Sequence, residues 1–140
     1  MEDHPVSYFS ISSSSQQNSI RLRTNPLMGY FSNDYDDCFF TVKTRADDTA
    51  WWMVDLKEYV KLEKIVVIPS KSTIYFNHVT FRFGNSSNYA NNPEIPYSST
   101  PVGAFPLTVY VTHSNLGRFV SLESKIVEWL GFGTILIIRE

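Results

Sequence analysis

A single cysteine, Cys38, stands in these 140 residues, so the chain cannot close a disulfide on itself or build a cysteine-based zinc site. Basic residues are few and scattered. The 12 Lys and Arg against 14 Asp and Glu leave a formal charge of −2, which gives no electrostatic footprint for nucleic acid and no polybasic patch for a membrane surface. No apolar run approaches the roughly 20 residues of a membrane-spanning helix. The opening Met1-Glu2-Asp3-His4-Pro5 lacks the basic and apolar parts of a secretory leader. There is no Gly-x-Ser-x-Gly elbow, no Gly-rich phosphate loop and no nucleophile beside a base, so no enzyme is expected. His4, His78 and His113 show no metal-ligand spacing, and His78, beside a strand, reads as structural.

What the chain does have is aromatic bulk. Hydrophobic residues make up 43% and aromatics 15%, which argues for an ordered, aromatic-rich core. A chain of this length buries about two-thirds of its unfolded surface. One domain over residues 1–140 is expected, with 1–19 as an irregular opening segment. The Ser/Gln-rich residues 10–19 read as a loop or edge piece with no packed face.

The densest information lies in Trp51-Trp52-Met53-Val54-Asp55-Leu56, followed by Tyr59, Leu62 and the β-branched run Lys64-Ile65-Val66-Val67-Ile68. Two indoles carry a large apolar area and predict the middle of a core. Short strand-like segments fill the rest. Residues 38–44 are rich in strand formers, and Ile20, Leu22, Leu27 and Met28 mark a weak strand region around the Asn25-Pro26 turn. Between residues 78 and 83, Val79, Phe81 and Phe83 alternate with Thr80 and Arg82, the pattern of a half-buried strand. Gly84-Asn85-Ser86-Ser87 ends it and contains a glycosylation sequon, relevant only to a secreted chain. Residues 88–101 read as a long loop without periodicity. Leu107, Val109 and Val111 alternate again, as do Val120 and Leu122 against Phe119, Ser121 and Glu123. Residues 124–130 could form one turn of helix. Ile135-Leu136-Ile137-Ile138 suits a central strand buried on both faces. About eight strands with few helices predict an all-β, antiparallel jelly-roll sandwich.

The W-W-x-V-D-L run resembles the signature of the discoidin, or coagulation-factor type C, domains and of the fucose-binding F-type lectins. Three further segments fit that resemblance in order. Cys38-Phe39-Phe40-Thr41 matches a Cys-x-x-Thr strand, residues 79–87 match a hydrophobic strand ending in Gly-x-Ser, and Gly117-Arg118-Phe119-Val120 is similar to a Gly-Arg-Tyr-Val segment. The likeness covers residues 20–140 and is strongest over 38–85. It implies a galactose-binding-like sandwich, an extracellular or cell-surface setting, and a ligand held by loops at one end. A lone Cys38 is equally compatible with a reducing compartment.

The departures from the family fall at its chemistry. The fucose-binding lectins carry a His two residues after the Cys and an Arg-x-Asp after the next strand; here stand Phe40, and Ser70 with Ser72. A serine cannot supply the guanidinium fork that grips sugar hydroxyls. The second family cysteine falls at or next to Leu136, so Cys38 is expected to be a buried thiol behaving as a small apolar residue. Asn33-Asp34-Tyr35-Asp36-Asp37 occupies the place of the family's calcium loop. Asp34 and Asp36 are its candidate ligands for Ca²⁺, but the acidic residue that closes that site is apolar here, and a solvated acidic turn is the plain alternative. No cofactor is therefore expected, with Ca²⁺ the one candidate ion.

Three loops, residues 30–37, 43–48 and 70–77, form the predicted binding rim. Tyr30, Phe31 and Tyr75 offer flat rings for stacking on a glycan, unless they fold beneath the sandwich as a plug. Lys43, Arg45 and Lys71 could donate to sugar hydroxyls, though lone basic loop residues are often simply solvated. The expected function is a non-catalytic, lectin-like carbohydrate-binding module whose partner is a glycan or glycoprotein. The alternative is an adhesion domain that docks on a protein or membrane surface without binding sugar.

Overall fold

The computed structural model describes residues 4–5, 10–15, 25–27, 38–41, 49–69, 78–96, 107–111, 115–124 and 130–140. Among the described residues ten strands form two five-stranded antiparallel sheets. The first sheet contains β1 (His4–Pro5), β3 (Phe39–Phe40), β5 (Leu62–Pro69), β8 (Leu107–Tyr110) and β10 (Gly131–Arg139), in the order β1-β10-β5-β8 with β3 also pairing β10. The second contains β2 (Ser10–Ser13), β4 (Ala50–Val60), β6 (Thr80–Gly84), β7 (Glu94–Ile95) and β9 (Gly117–Ser124), in the order β2-β4-β9-β6-β7. The excess over about eight strands comes from pieces of two residues, too short to leave an alternation in the sequence.

Period-2 patterning builds the interior, as expected from β-strands. Trp52, Val54 and Leu56 of β4, Ile65 and Val67 of β5, Phe81 of β6, Val109 of β8 and Ile137 of β10 are all buried in one cluster. Phe132 sits at its heart, edge-on to Trp52 at 5.3 Å and to Phe39 at 5.8 Å between ring centroids. Edge-to-face contacts of this kind add to the apolar area the rings bury.

Two irregularities keep that alternation in register. In β10, Phe132 and Thr134 pair with the adjacent Pro69 and Ile68, so Gly133 is an extra residue, a β-bulge. The bulge lets Phe132, Ile135 and Ile137 all face inward. In β4, pairing with β9 jumps from Asp55 opposite Phe119 to Val60 opposite Gly117, and Lys57 inside the jump has φ 62°. Leu56 and Val60, on either side of it, are both in the core, while residues 57–59 between them are exposed.

Four expectations change. Residues 10–13 form an edge strand on β4, and Ile11 packs partly against the core, because backbone pairing does not need an apolar alternation. Residues 89–91 make a 3-10 turn and Glu94–Ile95 pairs with β6, where a loop without structure was predicted. His78 precedes β6 with φ 51° and is exposed, a turn residue outside the strand. Trp51 lies on the opposite face of β4 from Trp52, so only one of the two indoles is in the core. Cys38 is wholly buried, as the apolar setting predicts.

Candidate functional site

One end of the sandwich collects the strand termini that flank two of the three predicted rim segments, 43–48 and 70–77. Ala50 at the start of β4 pairs with Ser124 at the end of β9, and Thr80 at the start of β6 pairs with Glu123. In the other sheet, Pro69 at the end of β5 pairs with Phe132, and Phe40 pairs with Gly131 at the start of β10. The chain therefore leaves and re-enters the described framework at this end around residues 42–48, 70–77 and 125–129. The candidate residues Lys43 and Arg45, Lys71 and Tyr75, and Tyr30, Phe31, Asp34 and Asp36 lie outside the described residues, as do Ser70, Ser72 and residues 125–129 of the helical turn expected over 124–130, whose first residue, Ser124, instead ends β9. Among the described residues no group of three or more His, Cys, Asp or Glu is arranged to hold a metal ion.

The described residues fix how this end is anchored. The Thr41 amide donates to the Leu130 carbonyl at 2.9 Å, and the Leu130 amide donates to the Thr41 hydroxyl at 3.0 Å. All four residues of the Cys38-Phe39-Phe40-Thr41 motif are buried. Phe40, in the place the family gives to a sugar-contacting His, packs its ring against Gly131 so closely that a Cβ there would overlap it. Gly131 is the small residue that lets this aromatic close the sheet end. Phe40 thus serves the scaffold and has no polar atom to offer a sugar.

Beside the rim, on the outer face of the second sheet, lies a cluster that sequence reading missed. The register brings Trp51, Glu123 and Thr80 into one row, and Met53, Ser121, Arg82 and Glu94 into the next. Arg82 binds Glu123 through Nε, donates from Nη1 to the Asn92 carbonyl at 2.8 Å, and reaches Glu94 from Nη2 at 3.4 Å. Asn92 is buried and closes the turn after β6, its amide group both accepting from the Ser86 N–H and donating to the Ser86 carbonyl at 2.9 Å. This turn folds Tyr89 onto Trp51, with ring centroids 5.3 Å apart and planes inclined by 31°. Burial, and then the nearby Glu123 carboxylate, push the Tyr89 hydroxyl above its usual pKa. A Ser or Glu in alternation with core residues was the available signal, but its partners become visible only once the register is known.

Further along the same sheet, Arg118 grips Asp55 with both carboxylate oxygens engaged, at 2.7 and 3.0 Å. Arg118 hydrogen bonding holds the Asp55 carboxyl down to about 2. These two residues belong to the W-W-x-V-D-L and Gly-Arg-Phe-Val segments, so the resemblance at both rests on a structural ion pair.

No protein-family model matches the chain, and no curated protein matches it at the level of sequence. Comparison of folds gives a different result. The F-lectin (fucolectin) from the serum of striped bass, Morone saxatilis, superposes with a TM-score of 0.89 at 20% identity, over 99% of this chain. The lectin domain of lectinolysin, solved in complex with Lewis B antigen, gives a TM-score of 0.76 at 20% identity over 96% of this chain and 95% of that one. An F5/8 type C domain from Bacteroides fragilis gives 0.72 at 14% identity over 99% and 95%. The chain has the discoidin fold. It spans only 50% of the length of the striped bass lectin, whereas it matches the other two nearly end to end. The fold expected from the Trp51-Trp52 signature is therefore the one found, and the sugar-binding domains among these neighbours share its framework.

Proposed function

We propose that this chain is a non-catalytic carbohydrate-binding module that holds a glycan or glycoprotein on the loops of the rim. The observation that carries the proposal is the joint one of fold and anchoring. The framework superposes on lectin domains, and its strand ends deliver three connecting segments to one end. A rigid sandwich that presents sequence-variable loops is the usual division between scaffold and site. Within two of those segments Tyr75 supplies a ring for the apolar face of a sugar, and Lys43, Arg45 and Lys71 supply donors for its hydroxyls; Tyr30 and Phe31, in the segment before Cys38, are the further rings to test. Asp34 and Asp36 are the pair to test for Ca²⁺.

A glycan array with and without calcium tests this function. Tyr75→Ala and Arg45→Ala should each weaken binding to the glycan found while leaving the melting temperature unchanged. A bare array, or two variants that bind like the parent, removes the rim site.

One observation favours a second reading, an adhesion domain for protein or membrane surfaces. Phe40 is only 3% exposed where the resemblance calls for a sugar-contacting His, so binding of the family's fucose type has lost a contact. Liposome pelleting and a partner pull-down separate this reading from the first.

A further inference from the structure

A cleft of about 780 Å³ opens between the free edges of the two sheets, β7 and β8, toward the end opposite the rim. Its volume falls within the range of about 300–1,000 Å³ typical of small-ligand sites. Three large hydrophobic side chains are notably exposed among the described residues, and two of them, Tyr110 at 67% and Leu116 at 55%, line this cleft. Phe83 and Ile95 form buried apolar floor beneath them. The polar part of the lining includes Asn85, Asn91, Asn115 and Glu94, with Ser86 and Asn92 bound to each other in the turn behind them. Among the described lining residues there is no Lys or Arg, and Glu94 is the one carboxylate.

The wall that carries these groups is braced. Asn92 ties Ser86 from both sides, and Arg82 holds the Asn92 carbonyl and reaches Glu94. Gly84 must be glycine for this, since a Cβ there would meet the Asn92 side chain. Ordering such a turn in advance removes part of the entropy that a ligand would otherwise have to overcome.

We infer that this cleft is a second glycan-binding site, one that takes a neutral oligosaccharide. An open ring beside amide side chains suits a ligand with an apolar face and many hydroxyls. Tyr110 stacks on a pyranose ring, the asparagine amides donate to and accept from its hydroxyls, and the Glu94 carboxylate accepts from a neighbouring pair. Among the described lining residues, a carboxylate without a cation disfavours sialylated, sulfated or phosphorylated ligands. The site is independent of the rim, because it lies at the other end of the strands.

The test is a neutral and anionic glycan array probed with the parent, Tyr110→Ala, Glu94→Gln and the rim variant Tyr75→Ala. Because Asn85 begins a sequon and lines the cleft, the protein is produced without N-glycans. Tyr110→Ala and Glu94→Gln should weaken at least one neutral glycan by about three- to tenfold, with the melting temperature unmoved and Tyr75→Ala without effect on that glycan. The inference is overturned if both cleft variants bind every neutral hit like the parent, if all hits are anionic, or if none appears. It is also overturned if Tyr110→Ala instead turns a dimer into a monomer, which would make the cleft a contact between copies. Loss of hits in Tyr75→Ala alone would sink the cleft and leave the rim standing.

Discussion

Trp51 and Trp52 are neighbours in sequence and sit in two different chemical worlds. Trp52 faces inward, fully buried, among Val, Leu, Ile and Phe side chains that ask only for volume and shape. Trp51 faces outward into a cluster where Ser121 and Glu123 are also buried, but beneath a turn held by hydrogen bonds and charge. The inner face is stabilised by area, the outer by the contacts of Arg82 with Glu123, Asn92 and Glu94, beside a Ser121 hydroxyl that is buried without a hydrogen bond. Area tolerates conservative change, whereas a polar cluster fails when one member is lost, because the rest are left buried and unpaired.

The sharpest way to break this comparison is at the inner Trp. Trp52→Ala should cost about 3–5 kcal/mol, enough to unfold a marginal domain. Denaturant unfolding measures it, and a loss under about 1 kcal/mol would mean that the core is elsewhere. Next comes the outer face. Glu123→Ala leaves Arg82 with the Asn92 carbonyl and the exposed Glu94, and should cost about 2–3 kcal/mol. The double variant Arg82→Met with Glu123→Leu should recover much of that loss. If the double change is worse than the single one, the ion pair also contributes through the turn that it holds.

Acid probes the same sheet more gently. Asp55 titrates at about 2 in the fold against an ordinary 3.8, so its ionised form is favoured by folding. The stabilisation is present above pH 4 and is lost as pH falls through 4 toward 2. Solvent reaches the pair, since Arg118 is 33% exposed, and about 1 kcal/mol is the expected size. Comparing the pH dependence of unfolding in the parent and Asp55→Asn reads it directly: the variant should lack the acid limb. Smallest of all, Trp51→Ala should cost about 1 kcal/mol, since its ring contact is with Tyr89 at the surface of the sheet. A loss equal to that of Trp52→Ala would erase the distinction between the two faces.

The same distinction explains what could be read in advance. Alternation in Trp52-Val54-Leu56, Ile65-Val67 and Phe81-Phe83 reports burial directly, and each of these residues is buried. The bulge at Gly133 was invisible, because it changes pairing without changing composition. The Ser-rich β2, read as a loop or an edge segment, is an edge strand whose order comes from backbone hydrogen bonds to β4, and the packing of Ile11 is what the sequence did not announce. The cluster of Trp51, Arg82, Asn92 and Glu123 joins residues 41 and more apart with residues 10 apart, and only the register of β4, β9 and β6 brings them together. The quoted family motifs mostly mark scaffold: Cys38 and Thr41 seal a sheet end, while Asp55 and Arg118 pair across strands. Candidate rim residues such as Tyr75 and Arg45 fall in stretches of sequence without periodicity, where the chemistry of single side chains is the only guide.

His4 pairs with Arg139, and the Glu140 amide donates to the Lys61 carbonyl at 2.9 Å. The two ends of the described chain and the β4–β5 hairpin therefore meet at one corner, on the far side of the first sheet from β8. A short peptide could join them, and the chain could then be cut at Lys61 without disturbing either the rim or the cleft. Such a circular permutant would keep the sandwich and leave both attachment points at that same corner, so that rim and cleft stay clear of whatever the domain is mounted on.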